Sequence, residues 1–200
     1  HQDGLVDYDV PVSRYIPEFK GGGKDAITLR DLLTHSAGIP SVTYGSVTEE
    51  ESWRGFVKTA CDAVVEWPAG SRTVYHGLSG LFVAAEAVRR VSDMRPWDEI
   101  CRERLFAPIG AESLSFSLPP SGFPVAVIPS YFSELEQFGL AGHPAGGCYG
   151  TVDDMLRVLQ ILGEGQSRKH DPILKALEVA RAVLVAQCVR GIELKRSQVG

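Results

Sequence analysis

The sequence predicts one predominantly α-helical unit with long loops and little sheet. Three observations predict it. Most periodic stretches place apolar residues at helical spacing, behind a polar residue of the kind that caps a helix. Only one stretch alternates at the strand period. The 21 glycines and 12 prolines gather between these stretches, where they interrupt regular structure. At 200 residues the chain can bury a core of its own, and no linker separates two cores.

Taken in order, residues 1–27 hold Pro11, Pro17 and the Gly21-Gly22-Gly23 run, and read as turn and loop. Thr28-Leu29-Arg30-Asp31 opens a short helix, with an acid at the third position and Leu29, Leu32 and Leu33 following. Gly38-Ile39-Pro40 closes it. Thr48-Glu49-Glu50-Glu51 opens a second helix, whose apolar face is Trp53, Phe56, Val57 and Ala60. Trp67-Pro68-Ala69-Gly70-Ser71 carries turn chemistry. A third helix should run from near Gly77 to Ser92, with Leu78, Leu81, Phe82, Ala85, Val88 and Val91 inward. Pro96 suits the first position of a fourth, bearing Trp97, Ile100 and Leu105. Leu114, Phe116 and Leu118 alternate with serines as a half-buried strand. Residues 119–150 read as long loops. Thr151-Val152-Asp153-Asp154 caps a fifth helix with Met155, Leu156, Val158, Leu159 and Leu162 apolar, and Gly163 and Gly165 closing it. Residues 172–190 repeat the helical pattern through Ile173, Leu174, Leu177, Ala180, Val183 and Leu184.

Composition excludes several classes. Hydrophobic residues make up 44% and charged residues 22%, which argues against disorder and coiled coil. The net charge of −5 gives no footprint for nucleic acid or an anionic membrane. No apolar run approaches the ~18 residues of a spanning helix. The chain contains no asparagine, so N-glycosylation and every Asn-dependent motif are absent. Its four cysteines, Cys61, Cys101, Cys148 and Cys188, form no Cys-x-x-Cys pair and read as free thiols in a reducing, cytoplasmic compartment. No signal peptide is visible, and His1-Gln2-Asp3-Gly4 reads as the middle of a longer chain.

A search for catalytic groups finds no Gly-x-Ser-x-Gly elbow, metalloprotease motif, EF-hand, P-loop or dinucleotide glycine pattern. Ser79 in Gly77-Leu78-Ser79-Gly80 has the wrong spacing for a nucleophile elbow and reads as a small helix residue. His35, His76 and His143 sit beside glycine-rich turns. Their spacing does not support a metal site, and each is expected as a partly exposed turn residue or one bonded to local backbone. No cofactor is expected.

Four ordered stretches resemble the serine β-lactamase-like superfamily, which includes class C β-lactamases, penicillin-binding D-Ala-D-Ala carboxypeptidases and related esterases. Ile27-Thr28-Leu29-Arg30-Asp31-Leu32-Leu33-Thr34-His35-Ser36-Ala37-Gly38-Ile39-Pro40 is similar to "ITLRDLLTHTSGLP". Pro68-Ala69-Gly70-Ser71-Arg72-Thr73-Val74-Tyr75-His76 resembles the segment that carries the family's catalytic tyrosine. Ala145-Gly146-Gly147-Cys148-Tyr149-Gly150-Thr151-Val152-Asp153-Asp154-Met155 resembles "AGGLYSTADDLA". Gly4 to Phe19 resembles the stretch that follows the family's nucleophile helix. The likeness runs from about residue 4 to residue 165.

The resemblance implies an α/β fold of the β-lactamase/transpeptidase type. Residues 1–165 would be its helical region, and 166–200 a divergent helical tail. It implies acyl transfer to a serine in Ser-x-x-Lys, with a small ester or amide as substrate. By position Tyr75 is the catalytic tyrosine, and His76, Gly77, Gly146 and Gly147 are substrate-binding. A phenol shuttles protons near neutral pH when positive charge beside it lowers its pKa from about 10. Gly77 stands where many members have Asn, which points to the esterase branch more than to antibiotic hydrolysis. No serine here has a lysine three residues on, and the C-terminal Lys/His-x-Gly strand is not seen. Ser-x-x-Lys is therefore expected upstream of His1, and this chain alone is expected to be inactive. The alternative is a non-catalytic descendant, either a pseudoenzyme or a helical interaction module. A large exposed apolar patch is expected on the first and third helices, where the rest of the fold would pack.

Overall fold

Thr28 starts the first helix in the way its sequence requires. Its Oγ1 accepts the Asp31 N–H at 3.2 Å, and the Asp31 carboxylate accepts the Thr28 N–H at 2.9 Å. This reciprocal cap satisfies two backbone donors that have no partner inside the helix. The computed structural model describes residues 4–41, 49–76, 79–116, 144–145 and 149–164. Within them lie α1 (Leu29–Leu33), α2 (Glu49–Asp62), α3 (Ser79–Arg90), α4 (Trp97–Cys101) and α5 (Val152–Glu164). The Thr48 cap, the loops at 119–143 and the pattern at 172–190 lie outside the described residues.

The N-terminal stretch is turn and loop, as expected, with one 3₁₀ turn at Val12–Arg14. It nevertheless supplies the centre of the core. Val12, Ile16, Phe19 and Ile27 are wholly buried against Leu29, Leu32, Ala60, Val83 and Ala87. The Val12 N–H donates to Ile27 O at 2.8 Å and the Arg30 N–H to Tyr8 O at 3.0 Å, so this loop is strapped along α1. Gly21, Gly22 and Gly23 all have positive φ, from +57° to +89°. Three left-handed residues in a row require glycine. They turn the chain so that the Val65 N–H reaches Gly22 O at 2.9 Å.

The predicted face of α2 is the buried one: Trp53, Phe56, Val57 and Ala60. Phe56 stacks on Phe82 of α3 with centroids 4.5 Å apart, and Trp53 tilts against the same ring at 4.3 Å. The inward set expected for α3 needs correction. Leu81, Val88 and Val91 are only half-buried, whereas Val83, Ala84, Glu86, Ala87 and Arg89 are buried. The cause is that α3 packs against α1, α2 and α4 at once, so no single stripe describes it. Its alanines permit close approach. Glu86 is tolerated inside because it accepts from Trp53 Nε1 at 2.7 Å, Arg90 Nε at 2.8 Å and Arg89 Nη1 at 3.4 Å.

Pro96 is the cap of α4 rather than its first residue. Leu105 lies in a π turn, Arg102–Phe106, that continues the helix into a 3₁₀ turn at Ala107–Ile109. The strand expected at 113–118 is reduced, among the described residues, to one bridge between Ser115 and Tyr149. Ser113 explains the loss. Its N–H and Oγ both donate to Asp154, at 2.8 and 2.6 Å, so it serves the start of α5 instead of a ladder. Leu114 still points inward, beside Phe106 and Ala111.

Helix α5 begins as predicted, with Thr151 Oγ1 accepting the Asp154 N–H at 3.3 Å. Val158 packs on the Phe106 cluster, but Val152, Met155, Leu156 and Leu159 are exposed. The uncovered apolar surface of the described helices thus lies on α5. It does not lie on the first and third, whose faces the N-terminal loop and α2 cover. Among the described residues no helix is long and apolar enough to cross a membrane. Cys61 and Cys101 are reduced thiols outside any disulfide among the described residues; Cys148 and Cys188 lie outside the described residues.

Candidate active site

The site grows from the turn that ends α1. Thr34 Oγ1 folds back onto Arg30 O at 2.8 Å, and the next residue, His35, takes φ +56°. A β-carbon is uncommon in that region, although histidine enters it more readily than most residues. The reversal brings residues 35–38 alongside 66–74. Three backbone bonds join the two segments: Glu66 N–H to Gly38 O at 2.7 Å, Gly70 N–H to Ser36 O at 2.9 Å, and Val74 N–H to His35 O at 3.0 Å. Between them the Pro68–Ser71 turn closes through the Ser71 N–H to Pro68 O at 3.1 Å. Tyr75 and His76 leave this pairing immediately afterwards.

The two side chains take opposite environments. The Tyr75 ring is 72% exposed, while His35 and His76 are 2% and 3% exposed. The His35 ring touches both of the others, 4.9 Å from Tyr75 and 4.8 Å edge-on to His76. His76 occupies a space that exists because residue 80 is glycine. A β-carbon there would sit 2.5 Å from His76 Cε1 and 3.0 Å from Leu32 O. Ser79 Oγ donates to Pro40 O at 2.6 Å, which ties the start of α3 to the same turn.

Among the described residues neither ring nitrogen of His76, nor Nδ1 of His35, has a hydrogen-bond partner, although all three are buried. Burial disfavours the imidazolium and the neighbouring His35 adds repulsion, so the His76 pKa falls to about 4. Burial also lowers that of His35. Both rings are therefore neutral near pH 7. They form an uncharged aromatic floor beneath an exposed phenol, and the Tyr75 hydroxyl has no hydrogen bond within the described residues.

Of the residues singled out from the sequence, Tyr75 stands at the surface and His76 is buried behind it. Gly77, Gly146 and Gly147 lie outside the described residues, as does His143. The expectation that His35 and His76 are partly exposed turn residues is overturned: the left-handed turn and the glycine at 80 put both rings inside. Among the described residues no group of three or more His, Cys, Asp or Glu side chains could hold a metal. The contact between His35 and Tyr75 had no local signal, since forty positions separate them.

These helices and their connections have the β-lactamase/transpeptidase fold. A penicillin-binding protein homologue from Caulobacter crescentus superposes with a TM-score of 0.63 and 23% identity, covering 86% of this chain and 53% of that one. The chain belongs to the Beta-lactamase family, whose model matches residues 1–189. It is 29% identical over 126 residues to the esterase/beta-lactamase LipL of Mycobacterium tuberculosis, covering 62% of this chain and 28% of LipL. It is 24% identical over 172 residues to the D-alanyl-D-alanine-carboxypeptidase/endopeptidase AmpH of Escherichia coli, covering 78% of this chain and 42% of AmpH. The chain thus spans well under half the length of these two relatives.

Proposed function

We propose that this chain supplies the tyrosine-bearing part of a serine hydrolase that cleaves a small ester or amide through an acyl-enzyme. The observation that carries this reading is the exposed Tyr75 phenol, held at the surface against the buried His35 imidazole in a chain of the Beta-lactamase family. In the proposed reaction the serine of Ser-x-x-Lys, located outside these 200 residues, attacks the substrate carbonyl. Tyr75 accepts the proton of the serine hydroxyl as the Oγ–C bond forms and passes it to the leaving oxygen or nitrogen as that bond breaks. Water then hydrolyses the acyl-enzyme by the reverse route. The lysine supplies the positive charge that a phenol needs for this work. Backbone N–H groups hold the oxyanion.

Gly77, Gly146 and Gly147 would let the substrate approach the backbone closely. His76 would act from beneath as part of the floor, because its ring is not at the surface. Gly77 in place of an amide side chain favours an ester over a β-lactam. The test is covalent labelling with a fluorophosphonate and with a fluorescent penicillin. The 200-residue chain should remain unlabelled on serine. The full-length protein should label, more readily with the fluorophosphonate. The second reading is a non-catalytic descendant, a pseudoenzyme or a helical interaction module. Failure of the full-length protein to label with either probe would count against the catalytic reading and for this one.

A further inference from the structure

We propose that His35 is the positioning residue of Tyr75, and that His76 wedges it in place. The inference rests on the catalytic reading of Tyr75 and assigns the group that aims it.

Three independent contacts meet at His35. Its carbonyl accepts the Val74 N–H at 3.0 Å, which fixes the backbone one residue before the tyrosine. Its ring packs against the Tyr75 ring at 4.9 Å. It also meets His76 in an edge contact at 4.8 Å. The backbone at φ +56° is what turns carbonyl and ring towards the same neighbour. The cost of that conformation is of order 1–2 kcal/mol for a residue with a β-carbon, and it persists because the surroundings impose it. An exposed tyrosine otherwise samples several rotamers. A ring wedged from below narrows that choice, which is the geometric requirement for proton transfer over hydrogen-bond distance.

The wedge is neutral by construction. The turn after α1 contributes His35, the segment before α3 contributes Tyr75 and His76, and α3 contributes Ser79 and the side-chain-free Gly80. Burial acts on both imidazoles, and on His76 the neighbouring His35 adds repulsion that a local backbone contact opposes only in part. A proton on His76 would therefore push against His35 and through it against Tyr75.

The experiment is NMR on the full chain with ¹³C-labelled tyrosine and histidine rings. His35→Asn keeps a side chain that tolerates positive φ and removes the ring. It should move the Tyr75 ring resonances to those of an unpacked tyrosine. Tyr15, whose hydroxyl accepts the Asp7 N–H at 2.7 Å, should keep its shifts and so reports on folding. In the unsubstituted chain, acidification should displace the Tyr75 signals together with the His76 titration. His76→Phe keeps a ring in the wedge and should abolish that displacement. Unchanged Tyr75 resonances in a folded His35→Asn, or an acid displacement that survives in His76→Phe, would overturn the proposal. Should His35→Asn also lose the Tyr15 shifts, the His76→Phe titration decides alone. In the full-length protein His35→Asn should lower kcat for an activated ester roughly 10–100-fold with KM within about twofold. A loss appearing in KM alone overturns the positioning role. A full-length protein with no hydrolysis at all overturns the catalytic reading, while the NMR result still judges the contact.

Discussion

Two polar groups sit inside this protein next to the same helix, and they are treated in opposite ways. Glu86, near the middle of α3, has its carboxylate engaged by Trp53, Arg89 and Arg90, and Arg90 continues to Glu18 on the N-terminal loop. His76, packed over Gly80 at the start of α3, has neither ring nitrogen bonded among the described residues. A satisfied buried network joins elements into one architecture. A buried polar group left without partners works against stability, and such groups in native proteins call for another explanation, often a functional one. The difference separates the part of the molecule that holds α2, α3 and the N-terminal loop together from the part that presents Tyr75.

The largest expected effect tests the architectural side. Glu86→Leu removes the carboxylate that faces two guanidinium groups and should destabilise the chain by about 3–5 kcal/mol, read by urea denaturation. By contrast His76→Phe, which removes the two unbonded nitrogens, should cost less than about 1 kcal/mol or stabilise. Equal losses in the two variants would erase the distinction.

Gly80→Ala comes next. Its new methyl meets the His76 ring at 2.5 Å and Leu32 O at 3.0 Å, so it should cost about 1–3 kcal/mol by thermal or urea melting. Combining it with His76→Ala should recover much of that loss, because the ring that clashes is gone.

Acid provides a third contrast. The His76 pKa of about 4 in the folded chain lies below its ordinary value of 6.5, so the unfolded chain binds the proton more tightly. The stability due to the neutral ring is complete above pH ~6.5 and falls as the pH drops towards ~4. Part of the acid sensitivity between those values, of order 1–3 kcal/mol, should vanish in His76→Phe. The smallest effect concerns Cys61. Burial, with Glu18 nearby, raises its thiol pKa to about 11. Iodoacetamide at pH 8 should leave it largely unmodified, as peptide mapping would show.

What the sequence made legible is what local chemistry decides. The Thr28 cap, the buried face of α2 and the Thr151 start of α5 depend on residues within a few positions of one another, and all three appear as expected. The inward set of α3 did not, because three neighbouring helices surround it and a one-face pattern has no meaning there. Nor did the role of Val12, Ile16 and Phe19, whose loop carries no period yet fills the centre of the core. Over residues 113–116 the expected strand gives way at Ser113, whose groups are taken by Asp154 forty-one positions away. Tyr75 was singled out through family resemblance alone. The buried floor beneath it depends on a left-handed turn at His35 and a missing side chain at Gly80, and neither announces itself in a one-dimensional pattern.

The measurement that bears most directly on the whole account is the acylation rate of the full-length protein with and without Tyr75→Phe, followed with an activated ester by rapid quench. The phenylalanine ring keeps the contact with His35 and loses only the hydroxyl that carries the proton. The account predicts a fall of roughly 100-fold or more in acylation with an unchanged melting temperature. An acylation rate equal to that of the unsubstituted protein would contradict it, and Tyr75 would then be an ordinary surface tyrosine.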